Sequence, residues 1–200
     1  MPRHGPGFLY APDPVEDELL SSWVHRIALR QEVNGSTLVG RVDVDWEPPS
    51  NLLAWLAQNG EQPLSRLKSM TLREKFPDRT RRDFALSRGA AFPGCHAYCP
   101  VCALDDIDRY GGVILRASNA GLWRLTCGVH RCFLQSAKDE SQLTPHWRFP
   151  DRSWAHGRNL PLEPLPAPAV AIAFERAIAR AIQGRDPGPL WLERTPAGFK

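Results

Sequence analysis

Cysteine and histidine fall in two short pairs, Cys99-Pro100-Val101-Cys102 and Cys127-Gly128-Val129-His130, each with two residues between its members. That interval lets a tight turn point both side chains, with backbone N–H groups beside them, at one ion. Twenty-four residues separate Cys102 from Cys127, enough chain to bring the pairs together. Three thiolates and one imidazole complete the tetrahedron that zinc prefers and leave no position for water. A closed shell holds structure and activates no nucleophile, so Cys99, Cys102, Cys127 and His130 are read as ligands of one structural Zn2+. Cys95, His96 and Cys132 are further soft donors, able to replace a ligand or begin a second partial site. Their spacing, three residues from Cys95 to Cys99 and four from Cys127 to Cys132, suits a knuckle less well, and they are left as spectators.

Other chemistry has fewer residues to work with. Asp105, Asp106 and Asp108 beside Arg109 read as an exposed, solvated helix start. With His96, the Asp105/Asp106 pair is the resource for an alternative reading, a small zinc-dependent hydrolase or nuclease, which would need a metal with an open position. No Gly-rich phosphate loop, GxSxG, HExxH or H-x-E before the CPxC is present, so NTPase, serine-hydrolase, metalloprotease and zinc-deaminase chemistry lack their residues. The reading is of a protein that is not an enzyme. His25, with no partner ligand nearby in sequence, is expected at a surface or edge.

Positive charge is concentrated in one stretch. Net charge is only +3, but residues 66–88 hold eight Lys/Arg against three acidic residues. Arg66, Lys68, Arg73, Lys75, Arg81 and Arg82 are the candidates for contact with nucleic acid or an acidic partner, since phosphate neutralisation is where sequence-independent affinity arises.

The elements that position these groups are mostly helical. Asp13-Pro14-Val15-Glu16 has the form of a helix start, with Asp as N-cap, Pro at the first position and Glu at the third. Leu19, Leu20, Trp23, Val24, Ile27 and Ala28 then recur at helical steps until Asn34-Gly35. Residues 36–47 are ambiguous between a half-buried strand carrying Val42, Val44 and Trp46 and a loop or short helix around Leu38. Ser50 is placed to cap a helix over 51–58. Asn59-Gly60 tolerates a left-handed turn, and Pro63 opens a second helix to Ser69 with Leu64 and Leu67 inward. Helix, short turn, helix is the layout of a helix-turn-helix. Thr71 is placed to cap a further short helix. Trp123 and Leu125 alternate with Arg124, presenting one face to the metal-bound loops. Residues 144–168 carry Trp147, Trp154 and six prolines, a composition for extended chain. Residues 168–183 then form a helix with Val170, Phe174, Ile178 and Ile182 on one stripe, packing onto its own domain, and Trp191 follows in a Pro/Gly-punctuated tail.

At 200 residues and 42% hydrophobic content, one domain or two small ones is expected, with nineteen prolines keeping the elements short. Five cysteines, two in a CxxC, suit metal binding better than a secreted disulfide framework. The N-terminus lacks the apolar core of a signal peptide and no run reaches the length of a membrane span. A soluble cytoplasmic protein with no membrane contact is the expectation.

The residues around the pairs resemble the TniQ family of transposition proteins. The resemblance runs through Cys99-Pro100-Val101-Cys102-Ala103-Leu104-Asp105-Asp106, Tyr110, Leu122-Trp123-Arg124-Leu125 and Cys127-Gly128-Val129-His130. Upstream, residues 18–28, beginning Glu18-Leu19-Leu20-Ser21-Ser22-Trp23, are similar to the family's opening helix. Residues 65–72 are similar to its L-x-x-L-T-L segment. In order, these cover roughly residues 8–135. Gly128 stands where the family has proline, Arg131 where it has glycine, and no second CPxC follows Cys132, so one metal site is kept.

The fold expected is mainly α, with a small zinc-knuckle module and a helix-turn-helix-like N-terminal part. Its expected divisions are a helical region (8–90), the zinc module (91–135), a Pro/Trp-rich connector (136–168), and a C-terminal helix and tail (169–200). The resemblance implies a non-catalytic accessory and target-selection protein of DNA transposition. As such it would bridge a transposition AAA+ ATPase and an RNA-guided or DNA-binding targeting complex. A stand-alone zinc-containing DNA-binding regulator is the alternative of another class.

Overall fold

A computed structural model of the chain describes residues 8, 10–33, 35–40, 44–78, 97–121, 123–136 and 162–182. Among them are seven α-helices: α1 Leu20–Arg30, α2 Gly35–Val39, α3 Ser50–Asn59, α4 Leu64–Ser69, α5 Leu72–Lys75, α6 Pro100–Tyr110 and α7 Ala169–Ile182. Among the described residues one small sheet pairs β1 (Ala97–Tyr98) antiparallel to β2 (Gln135–Ser136), with Ala97 opposite Ser136 and Tyr98 opposite Gln135. The mainly helical expectation therefore holds. Val42, Arg79, Arg81, Arg82, Arg88, Cys95, His96, Trp147, Trp154 and Trp191 lie outside the described residues.

Helix α1 is the most deeply buried element. Leu20, Trp23, Val24 and Ile27 are fully enclosed by Val39, Val44, Leu53, Leu56, Leu67 and Met70 from the helices around it. The helix starts later than the Asp13-Pro14 pattern suggests. Asp17 takes a left-handed conformation, φ 63°, and Glu18 pairs in extended form with Arg116, which ends any helix before Leu19. The first-turn N–H groups are satisfied from a distance: Leu20 donates to the Met70 carbonyl and Ser21 to the Asp45 carboxylate at 2.7 Å. A cap 24 residues away replaces the local one. At the other end Glu32, φ 55°, turns the chain left-handed. Val33 N–H donates back to Ala28 and Glu32 N–H to Leu29, the Schellman closure. Helix α1 thus stops before the Asn34-Gly35 pair, and Gly35 begins α2, so the ambiguous stretch resolves as a short helix followed by a turn that buries Val44 and Trp46. His25, expected at an edge, is buried because α1 is enclosed on nearly all sides.

Helices α3 and α4 are joined by a short turn. Pro49 rather than Ser50 is the N-cap of α3, and Pro63 stands just before α4. Gly60 is needed for space and not for left-handedness: its φ is −94°, and a Cβ there would lie 2.6 Å from the Trp23 ring. Glu61 supplies the left-handed turn instead. Only Leu67 of α4 is buried, and Leu64, expected inward, faces solvent. Thr71 caps α5 as its sequence implies, accepting from Glu74 N–H.

A second core joins the N-terminal elements to the region of the cysteine pairs. Leu19, Trp46 and Leu72 pack with Tyr98, Ala103, Val113, Leu115, Ala117 and Ala120, and Trp123 closes its side edge-on to Phe76. Glu18 sits beneath this junction, 1% exposed. Its carboxylate accepts from Arg26 Nε at 2.9 Å and Nη2 at 2.6 Å, Ser22 Oγ at 2.9 Å and Val15 N–H at 2.9 Å. Ser22 Oγ also accepts from Leu115 N–H. Two buried charges are tolerated here because the carboxylate is supplied with donors on both oxygens. Arg26→Met would strand the Glu18 charge and should destabilise the fold by about 3–5 kcal/mol, read from the denaturant midpoint. A loss below about 1 kcal/mol would mean that the pair contributes little beyond a surface one.

Candidate metal centre

The first cysteine pair is built by a helix start. Cys99 is the N-cap of α6, Pro100 occupies the first turn, and Cys99 Sγ accepts from Cys102 N–H at 3.5 Å. Sulfur at this position meets the positive end of the helix dipole, which favours a thiolate. The second pair is a turn in which Cys127 Sγ accepts from His130 N–H at 3.4 Å, and Arg131 N–H returns to the Cys127 carbonyl. Each knuckle thus turns a backbone donor onto its leading sulfur.

The two knuckles face each other. The four donor atoms of Cys99, Cys102, Cys127 and His130 all lie within 4.8 Å of one another. His130 presents Nδ1, 3.4 Å from Cys99 Sγ, 3.3 Å from Cys102 Sγ and 3.7 Å from Cys127 Sγ, while Cys102 and Cys127 sulfurs are 3.9 Å apart. Tetrahedral bonds of about 2.3 Å to sulfur and about 2.0–2.1 Å to nitrogen imply edges near ~3.8 Å between sulfurs and ~3.6 Å from sulfur to nitrogen. The three sulfur–nitrogen separations bracket the second edge and the Cys102–Cys127 separation lies close to the first, so the residues fit a four-coordinate ion. All four ligands expected from spacing are brought together. Cys132, set aside on spacing, is closer than expected: its buried sulfur is 3.4 Å from Cys99 Sγ, inside the small core it shares with Cys99 and Cys127.

The thiols share charge unequally. Hydrogen bonds from Cys102 and then Cys99 hold Cys127 well below the usual thiol range. Cys102 is pushed up to about 11, chiefly by its hydrogen bond to Cys127. Cys99 is raised further, first by Cys102, then by Cys127 and burial. Two arginines answer this negative centre. Burial works against the charge on Arg116, but Asp106 and the nearby Cys102 and Cys127 outweigh it and hold the guanidinium above its ordinary value. Arg124 reaches the second knuckle, its Nη2 3.6 Å from where a Cβ on Gly128 would stand.

Carboxylates outside the cluster fix these arginines. Asp106, expected in a solvated run, is 2% exposed. It grips Arg116 bidentately at 2.7 and 2.6 Å and accepts from Ile114 N–H. Asp105 and Asp108 on the same helix are exposed as expected. Glu175 of α7, 3% exposed, accepts from Arg124 Nη1 at 2.5 Å, Leu125 N–H at 2.9 Å, Thr126 N–H at 2.7 Å and Thr126 Oγ1 at 2.9 Å. Leu125, expected inward, is exposed; Trp123 faces the core and Arg124 turns to Glu175. The apolar stripe of α7 is only partly seated: Val170 is exposed and Phe174 and Ile178 are half-buried, while Glu175 and Ala177 beside them are buried. One signal for Glu175 was available: it is the sole acidic residue in AVAIAFERAIARAI.

Of the basic candidates, Arg66 and Lys68 project from α4. Arg66 touches only the Pro14 carbonyl at 3.3 Å among its side-chain hydrogen bonds to described residues. Arg73 is ion-paired with Glu47 and Lys75 with Asp17. These four residues do not form part of the metal cluster.

The TniQ family model matches residues 9–134. The chain belongs to the TniQ family. No curated protein matches it. The match spans both knuckles, α1 with its buried Glu18, and α6, and family membership fits an accessory protein of transposition. Among the described residues no helix of this TniQ protein is long and apolar enough to cross a membrane.

Two outcomes follow from this geometry. Arg131 sits at φ 51°, where the family pattern has glycine, so Arg131→Gly should raise stability by about 1 kcal/mol, measured as a higher thermal midpoint at unchanged metal content. Because Cys99 and Cys102 hold their protons above neutrality, an ion must displace both. Metal affinity should therefore rise about a hundredfold per pH unit around neutrality, measured by chelator competition. A flat profile would contradict the two raised thiols.

Proposed function

We propose that this chain is a non-catalytic accessory and target-selection protein of DNA transposition, held in shape by one zinc ion on Cys99, Cys102, Cys127 and His130. The observation that carries the reading is the closed cluster of four soft donors at tetrahedral separations in a chain of the TniQ family. Three thiolates select zinc over hard cations, and with four protein ligands the ion supplies cross-linking and no open position for chemistry. Asp106, a carboxylate that a hydrolase would need, is committed to Arg116. The partners of such a protein would be a transposition AAA+ ATPase and an RNA-guided or DNA-binding targeting complex. The site of action would be cytoplasmic.

Within this reading, α3 and α4 present the surface to DNA or to an acidic partner. Helix α4 buries one residue and turns Arg66 and Lys68 outward. Arg73 and Lys75 would have to leave Glu47 and Asp17 to join them, which lowers what each contributes. Arg81 and Arg82 extend the same basic stretch in sequence. A stand-alone DNA-binding regulator differs from an adaptor in one measurable respect, salt-dependent binding by the isolated chain.

The zinc reading requires about one zinc per chain by metal analysis, with a cobalt-substituted form giving the intense spectrum of a tetrahedral thiolate site. A five- or six-coordinate spectrum would sink it. If the isolated chain binds DNA, Lys68→Ala should reduce the slope of log affinity against log salt by about one unit, and Lys75→Ala by much less. No salt-dependent binding at all leaves the adaptor.

A further inference from the structure

We propose that Glu175 is a positioning residue for the metal centre, so that docking of α7 and retention of the ion are one linked equilibrium. This rests on the zinc reading above and adds to it a control element outside the family-matched span.

The two knuckles are supported differently. The first belongs to α6, whose helix start sets Cys99 and Cys102 and whose Asp106–Arg116 pair ties it to the loop after it. The second has no helix of its own. Its entering strand, Leu125-Thr126, gives both N–H groups and the threonine hydroxyl to Glu175, immediately before Cys127. Its leaving strand is held by the chain that leads into α7: Phe133 N–H donates to the Leu165 carbonyl and Ala167 N–H to the Arg131 carbonyl. Residues 165–175 thus grip the second knuckle on both sides of Cys127 and His130.

The same carboxylate aims a charge. Glu175 fixes Arg124, which is also tied to the Ser118 carbonyl at 3.0 Å, with its guanidinium beside Gly128 of the knuckle. Three thiolates and a divalent ion carry one net negative charge, and Arg124 stands next to it. Removing Glu175 would strand two N–H groups, leave Arg124 held only through Ser118 and loosen the turn that presents Cys127 Sγ and His130 Nδ1. Outer contacts of this kind change metal affinity while leaving the ligands intact. Beside Glu175, α7 seats Ala177 fully and Phe174 and Ile178 in part, so among its described side chains Glu175 is the buried polar anchor. Because linkage is reciprocal, a partner that drew α7 away would weaken the ion's hold, and loss of the ion would release α7.

The test uses the full chain, zinc and a competing chromophoric chelator, with Leu56→Ala, in the core around α1 that shares no residue with the cysteine core, as a control for lost stability. Glu175→Gln should lower zinc affinity by about 10- to 100-fold, and Thr126→Val should lower it in the same direction by less. Leu56→Ala should leave affinity within about twofold while lowering the thermal midpoint. Hydrogen exchange gives the reciprocal readout: on zinc removal the amides of α7 and of 125–133 should lose protection together while those of α1 keep theirs. Should Glu175→Gln fail to fold, Thr126→Val and the exchange experiment decide. Full stoichiometry with unchanged affinity in both variants, or α7 protection that survives zinc removal, would overturn the linkage. Absence of zinc binding by the parent chain would instead overturn the metal reading on which it stands.

Discussion

The centre of the cysteine-bearing region is made of sulfur. Its small core is Cys99, Cys127 and Cys132, with Val101, Cys102 and Leu134 partly buried around it. Such a patch removes too little apolar surface to offset the entropy of fixing two turns and the chain between them. In the proposed zinc-bound state, directional bonds to one ion would do what a larger core does elsewhere. The rest of the architecture follows from having to aim four donors at a point: a helix start for one pair, a braced turn for the other, and arginines placed to offset the negative charge that three thiolates bring.

Three buried carboxylates provide the bracing, and each holds one arginine. Glu18 takes Arg26, Asp106 takes Arg116 and Glu175 takes Arg124. All three also accept backbone N–H groups, from Val15, Ile114, and Leu125 with Thr126. Apolar residues of similar shape could give comparable stability, since burying ions is costly. What the pairs add is register: the forks of Arg26 and Arg116, and the four donors converging on Glu175, each fit a carboxylate in one orientation, which fixes where α1, α6 and α7 meet their loops. Glu18, Arg26, Asp106 and Arg124, all within the stretches that resemble the family, are one complete pair and one member of each of the other two. That explains why polar residues occupy positions that a core would otherwise fill with leucine.

What could be read in the sequence was what depends on near neighbours. The knuckles show this well: Cys99 with Cys102 and Cys127 with His130 are each set by three residues of chain, and Thr71 caps α5 through a bond three residues long. The joining of the two pairs followed from valence, since four ligands were on hand. Long-range replacements were not legible. Asp13 looked like the cap of α1, but Asp45 does that work from across the fold. Asp106 looked solvated because nothing local announces Arg116 as its partner. The stripe of α7 suggests apolar packing alone, and nothing local announces that Glu175 beside it is buried against Arg124, Leu125 and Thr126. Gly60 was assigned to a turn conformation when its reason is the Trp23 ring pressed against it.

The same distinction bears on the basic stretch. Counted along the chain, residues 66–88 carry an excess of five positive charges, eight against three. In space, two of the four described candidates are neutralised by acids from before that stretch, Arg73 by Glu47 and Lys75 by Asp17. A phosphate would have to compete with a carboxylate for each, and the exchange of one anion for another gains little. The positive potential of the described candidates therefore concentrates at Arg66 and Lys68 on α4, the helix that buries one side chain and exposes the others. In the proposed role, two projecting cations on a short, shallowly seated helix would make a contact point suited to reinforcement by other subunits. An assembly component needs no more than that, whereas a free-standing reader of DNA needs many more phosphate contacts.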